Sequence, residues 1–256
     1  MRNFNVEKIY SKIQFFMVSK NQIKLITSLQ QKKYRKTHQL FIAEGKKVIL
    51  ELLEAGFKLE FLFVTEANLF PEIYHSELIS ELELKKITAL TTPNNCLAVF
   101  KMHENKPNDT PGLILALDNV RDPGNMGTII RLCDWFGITT LVCSEETVDC
   151  YNPKVVQATM GSLARVNLIY TDLHNYLSQT NLPIYGTFME GKNIYKTEIS
   201  QKGILLMGNE ANGISNEIEE LITTKLSIPR FGDLQATESL NVATATAIFL
   251  SEFKRR

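Results

Sequence analysis

From Lys20 to Leu29 the apolar residues Ile23, Leu25, Ile26 and Leu29 recur at helical spacing behind Ser19, a side chain suited to cap a helix start. A cationic run, QKKYRKTH, follows at once. LFIA (40–43) then predicts a strand, KKVILELLEAGF a helix ending at Gly56, and LEFLFVT a second strand. Residues 71–90 read as helical, and CLAVFKM (96–102) closes this half as a strand. The alternation predicts a small α/β domain of about ninety residues.

HENKPNDTPG, from His103 to Gly112, has the Pro, Asn, Asp and Gly composition of a linker. Beyond it the pattern predicts strand 113–117, helix near 127–136, strand 140–143 and helix near 154–163. Strands 183–188 and 203–207, helix 216–221, strand 225–228 and helix 240–252 follow. Strands alternating with helices mean a mostly parallel sheet covered on both faces. The organisation expected is an N-terminal extension (1–16), a first domain (17–104), a linker (105–112) and a second domain (113–256). NFNVEKIYSKIQFFMV is interrupted by Lys12 and Gln14, fails as a signal peptide, and reads as an extension before a start near Met17.

Composition narrows the class. At 256 residues, 44% hydrophobic and 22% charged, the chain reads as a soluble globular protein without internal repeats. Cys96, Cys133, Cys143 and Cys150 form no CxxC pair, and with four scattered His they assemble no zinc spacing, so no metal is expected. They read as buried thiols in a reducing cytoplasm. No apolar run approaches the ~18 residues of a membrane helix. Residues 1–60 hold 12 Lys and Arg against 5 Glu, and the remainder 16 against 23. A basic first quarter on an acidic remainder points to an anionic partner, RNA foremost.

Three segments carry candidate chemistry. In LDNVRDPGNMGTIIRLCDWFG (117–137) a strand runs through Gly124 and Gly127 into a helix, with Glu145 and Glu146 about twenty residues on. This invites a dinucleotide reading, but the glycines miss the offsets that fingerprint needs, and no GK[ST] is present for a Walker-type loop. In place of a fingerprint there is Pro-Gly-Asn125-x-Gly127-x-x-x-Arg131. Gly127 is expected to open the helix, Asn125 to cap it, and Arg131 to lie one turn inward on the same face. The second segment, LLMGNEANGIS (205–215), is an apolar strand entering a two-glycine loop that carries Glu210, beyond the carboxyl end of a strand, where ligands bind in such sheets. The third runs from IPRFG (228–232) through DLQATE to SLNVATATAI (239–248), whose small residues permit close backbone approach.

Taken together in order, these segments resemble the three motifs of the SpoU/TrmH-like RNA ribose 2′-O-methyltransferases of the SPOUT superfamily. SKNQIKLITSLQQKKYRKTHQLFIAEG resembles that family's accessory RNA-binding domain. The resemblance implies a parallel α/β sheet with a C-terminal deep trefoil knot, plus a small ribosomal-protein-like α/β domain. It implies S-adenosylmethionine as cofactor, held by backbone groups at Gly208, Ile228 and Leu240. It also implies Asn125, Arg131, Glu210, Ser239 and Asn241 as active-site residues. A guanidinium rarely gives up its proton, so Arg131 is expected to hold phosphate and stabilise developing alkoxide, with Glu210 and Asn125 fixing it and the ribose. Two departures stand out: Ala211 where the family has Gly, and a longer DLQATE insertion.

For the substrate, Lys32, Lys33, Arg35 and Lys36 are expected to contact phosphates, with Tyr34 available to stack on a base. Structured RNA, 23S rRNA ahead of tRNA, is the implied substrate, and the family implies a homodimer in the cytoplasm. Two other classes remain open: a non-catalytic RNA-binding member of the fold, and a nicotinamide-dependent oxidoreductase resting on Gly124, Gly127 and Glu145.

Overall fold

The computed structural model describes residues 15–103, 112–232 and 239–255. Expectations for residues 1–14, for most of the linker and for the DLQATE insertion lie outside the described residues. Phe16, at the end of the expected extension, donates its amide to Leu78 O at 2.7 Å and so joins the edge of the first sheet.

The N-terminal unit holds α1 (Lys20–Ser28), α2 (Lys32–His38), β1 (Leu40–Glu44), α3 (Lys46–Glu54), β2 (Leu59–Val64), β3 (Glu77–Leu78), α4 (Glu81–Ile87) and β4 (Cys96–Lys101). Ser19 caps α1 in a reciprocal pair with Gln22, which satisfies two amides at the helix start. The helix expected over 71–90 shrinks to α4. His75 adopts a left-handed backbone (φ 43°) that stops the short 3-10 turn Glu72–Tyr74, and Ser80 caps a fresh start by accepting from Glu83 N. The four strands order as β1-β4-β2-β3.

The second unit holds β5 (Leu113–Leu117), α5 (Pro123–Phe136), β6 (Thr140–Ser144), α6 (Pro153–Thr159), β7 (Asn167–Thr171) and α7 (Leu173–Ser178). It continues with β8 (Ile184–Asn193), β9 (Gly203–Met207), α8 (Asn216–Glu219), β10 (Thr224–Ser227) and α9 (Val242–Arg255). The strands order as β10-β8-β9-β5-β6-β7, and every pairing is parallel. β7 and α7 are additions to the elements expected from sequence. Strand β5 is buried throughout, so its residues alternate between two cores: Leu113, Leu115 and Leu117 face α5 and α6, while Ile114 and Ala116 face α7 and α8.

The two sheets are separate, yet they share one core. Phe41 and Ala43 of β1, and Ile49 and Leu52 of α3, pack in the same cluster as Tyr151, Val155 and Leu163. The rings of Phe41 and Tyr151 are 4.5 Å apart. A second contact is ionic: Arg165 binds Glu51 of α3 on one side and Asp134 of α5 on the other. The boundary expected from composition therefore separates sheets rather than independent bodies.

Candidate active site

Helix α5 begins four residues earlier than the sequence suggested. Asp122 caps it, accepting from Asn125 N at 2.7 Å, and Pro123 takes the first turn, where its missing N–H costs nothing. Two expectations are thereby corrected. Asn125 is a first-turn residue and not the cap, and Gly127 does not open the helix but lies inside it. A Cβ on Gly127 would stand 2.3 Å from Ala158 Cβ, so the bare glycine is what lets α6 approach.

Freed from capping, the Asn125 amide faces the next motif. Its Nδ2 donates to Glu210 Oε1 at 3.0 Å, and its Oδ1 accepts from Asn241 Nδ2 at 2.8 Å. A carboxylate can only accept, so this arrangement fixes which way the amide points. Glu210 also faces the backbone amides of Arg121 and Asp122, each at 3.4 Å. Asn241 in turn accepts from Ala243 N and Thr244 N at 3.0 and 3.2 Å, closing the start of α9. Three segments far apart in sequence thus meet through one hydrogen-bonded line of side chains.

The loop bearing Glu210 is braced from several directions. Asn209 and Gly213 exchange backbone hydrogen bonds at 2.8 and 2.9 Å. Asn209 Nδ2 donates to Asn119 O at 2.6 Å, and its Oδ1 accepts from the amides of Ala211 and Asn212. Buried Asp118 accepts from Ser215 N at 2.7 Å. Gly208 closes the fold of the loop onto itself, since a Cβ there would lie 2.3 Å from the Gly213 carbonyl carbon. Ala211, in the position where the resemblance expects Gly, is accommodated in this turn with its amide bonded.

Beside this line, at the carboxyl ends of β8, β9 and β10, lies an open cleft of about 1330 Å³. Gly208, Ile228 and Leu240 all line it, together with Glu210 and Ser239. Met207 and Phe249 add apolar wall. Ligand sites in open parallel sheets occupy this end.

Arg131 stands apart. It is solvent-exposed and makes no hydrogen bond or ion pair among the described residues. Six residues beyond Asn125, it is turned about 240° around α5 and set roughly 9 Å along it. The expectation that Asn125 and Glu210 fix Arg131 is corrected accordingly: Asn125 binds Glu210 on one side and Asn241 on the other. Four residues that sequence reasoning passed over do belong here: Arg121 and Asp122, whose amides face Glu210, and Asn209 and Asp118, which brace its loop. The Asp-Pro pair at 122–123 was the readable signal, since that pair marks a cap followed by a helix start.

On the N-terminal unit, Lys32, Lys33 and Lys36 are exposed along α2, and Tyr34 stacks against His38 with ring centroids 6.4 Å apart. Arg35 is a correction. Its side chain is 2% exposed, and its Nε and Nη2 bind Asp149 Oδ2 at 2.8 and 2.6 Å. Its Nη1 donates to the carbonyls of Leu29 and Gln30 at 2.8 and 2.9 Å. Every arm of the fork is engaged, so Arg35 offers nothing to a phosphate.

A family model described as the SpoU rRNA methylase family matches residues 112–251. This chain belongs to that family. A second model, the MRM3-like substrate binding domain, matches residues 20–98. The 23S rRNA (guanosine(2553)-2′-O)-methyltransferase RlmP of Bacillus subtilis is 31% identical over 91% of this chain and 96% of its own. A TrmH-family structure from Porphyromonas gingivalis superposes with a TM-score of 0.84 at 38% identity, over 94% of this chain and 99% of that one. The AdoMet-bound rRNA methyltransferase of Sinorhizobium meliloti superposes with a TM-score of 0.81 at 28% identity, over 94% and 97%. The SpoU-family match spans the parallel unit that carries Asn125, Glu210 and Asn241, and the substrate-binding match spans α2. Family membership leaves the nicotinamide reading of Gly124 and Gly127 without support.

Proposed function

We propose that the protein methylates a ribose 2′-hydroxyl in structured ribosomal RNA, within 23S rRNA, using S-adenosylmethionine. The carrying observation is the Asn125–Glu210–Asn241 line bordering the cleft at the strand ends. The B. subtilis relative, named for 2′-O-methylation of 23S rRNA, supports the substrate class.

The cleft fits the cofactor in size and character. Pockets of ~300–1,000 Å³ hold ligands of that size, and the remaining space in this cleft is open to a second substrate. Ile228, Leu240 and Phe249 offer an apolar wall for a flat base, and Gly208 lets the Gly213–Ile214 backbone fold back closely to complete the lining. Bound there, S-adenosylmethionine supplies a methyl group already activated on sulfonium. Orientation then dominates the work left to the protein, and alignment contributes several kcal/mol.

Glu210 holds Asn125, and both, with Asn241, set the position of the ribose. Ser239, on the cleft wall, faces the same substrate. Arg131, exposed and without a partner among the described residues, offers its guanidinium to an RNA phosphate beside the site. It acts as a charge and not as a base, because guanidinium stays protonated. The presence of all five side chains argues against a non-catalytic member of the fold. Exposed Lys32, Lys33, Tyr34 and Lys36 form the RNA-contacting patch.

The knot belongs to this reading as well. The last element, α9, packs on α5, the first helix of the unit. A homodimer working in the cytoplasm completes the proposal. Mapping 2′-O-methylation on cellular rRNA and tRNA with and without the gene tests it. Loss of one 23S rRNA mark is expected; loss of a tRNA mark overturns the substrate, and no loss at all overturns the reading.

A further inference from the structure

We infer that Arg35 is a positioning residue that sets the direction in which α2 presents its lysines to RNA, relative to the Glu210 site. The inference rests on the methyltransferase reading above and on α2 as its RNA-contacting face.

Helix α2 has one buried residue, and it is Arg35. No apolar side chain anchors this helix, so its rotation is set by what the guanidinium binds. Three nitrogens of the fork are fixed: two on Asp149 of the second unit, and one on the Leu29 and Gln30 carbonyls at the corner between α1 and α2. A fork with fixed partners determines an angle as well as a distance.

Asp149 is itself tied to the site. Its Oδ1 accepts from Tyr151 N at 3.0 Å. The Tyr170 hydroxyl clamps the chain on both sides, donating to Val148 O at 2.7 Å and accepting from Cys150 N at 2.8 Å. Val148 N donates to Val120 O at 2.9 Å, and the next two residues, Arg121 and Asp122, present their amides to Glu210. Asn119, just before Val120, donates its amide to Ser144 Oγ at 2.9 Å. Hydrogen bonds linked by short stretches of backbone therefore join the α2 helix to the loop that seats Glu210. At the other end of the interface, Arg165 joins Glu51 of α3 to Asp134 of α5.

Stability alone is a poor reason for this arrangement. A buried ion pair is often matched or bettered by apolar residues of similar volume, because desolvating both charges cancels much of their attraction. What an apolar pair does not supply is a defined angle between two sheets that share a core but no strand.

The test uses the full-length protein with Arg35→Lys and Asp149→Asn, each alone and combined with Lys36→Ala. Lysine keeps the charge but cannot serve Asp149 and both carbonyls at once. For Arg35→Lys we expect KM for rRNA to rise about tenfold with kcat within about twofold and S-adenosylmethionine affinity unchanged. The decisive readout is coupling: Lys36→Ala should weaken RNA binding in the wild-type background and do markedly less in the Arg35→Lys background. Additive effects overturn the inference, as does a Lys36→Ala that changes nothing in the wild type. So does a loss of activity that follows the fall in Tm with KM unmoved. Should Arg35→Lys fail to fold, Asp149→Asn leaves the guanidinium and its carbonyl bonds in place and carries the same cycle; unfolding of both makes the pair structural and overturns it. If wild-type protein transfers no methyl group, the functional reading fails separately, and the RNA-binding cycle still decides the role of Arg35.

Discussion

Asn241, just ahead of the last helix, donates to Asn125 in the first turn of α5 at 2.8 Å, across 116 residues of sequence. The same Asn125 donates to Glu210 at 3.0 Å, so replacing the middle member tests the whole line.

Asn125→Asp sets one carboxylate against another. Like charges in contact raise the proton affinity of the pair, so near pH 7 the line is broken by repulsion, and uptake of a single proton restores a donor toward Glu210. Methyl transfer should fall about 100-fold at neutral pH and recover partly as pH falls, a recovery that the wild type lacks. A pH–rate profile of the two proteins checks this.

Glu210→Ala removes the acceptor shared by Asn125 and two backbone amides. kcat should drop on the order of 100-fold, with S-adenosylmethionine affinity changed by less than about threefold. Parallel calorimetry and single-turnover assays separate the two quantities.

Gly208→Ala places a methyl group 2.3 Å from the Gly213 carbonyl carbon and 2.4 Å from Ile214 N. Both are backbone atoms that cannot swing aside. A cost of about 1–3 kcal/mol is expected, together with loss of cofactor binding as the loop opens. Thermal denaturation with and without cofactor reports both effects.

All four cysteines are free and buried. Burial pushes the Cys96 thiol up to about 11 and holds Cys133, Cys143 and Cys150 higher still. The folded state therefore keeps these protons where the unfolded chain, with thiols near 9, releases them. Stability from this source is complete below about pH 8 and falls as pH rises beyond about 9. Alkylation at pH 8 should leave the native protein unlabelled and label all four thiols in denaturant.

Much of the fold was legible in the sequence, and the gaps have physical causes. Leu113–Leu117 and Gly203–Met207 are uninterrupted apolar runs, as strands buried on both faces must be, and both were placed correctly. Strand β7 was missed because Asn167 and Thr171 leave too short an apolar run to stand out from a loop. Within the candidate site, the motif order brought Asn125, Glu210 and Asn241 together, and Gly208, Ile228 and Leu240 to one cleft. Arg35 departs from expectation because a cationic run looks solvated from sequence, and its partner lies 114 residues away. The start of α5 departs from the glycine-based expectation because Asp122 and Pro123, a cap and a first-turn proline, decide it.

If the lysines of α2 meet RNA phosphates, each contributes to counterion release. Lys33→Ala and Lys36→Ala should each weaken RNA binding and make the salt dependence of log K shallower by about one. Binding measured across a salt series tests both.

The central claim is tested most directly by incubating the purified protein with methyl-labelled S-adenosylmethionine and 23S rRNA, then digesting the RNA with alkali. The account predicts label in an alkali-resistant dinucleotide, the mark of a methylated 2′ oxygen, and none with Glu210→Ala or with RNA already methylated at that position. Label carried on a base, or no label in rRNA at all, would contradict it.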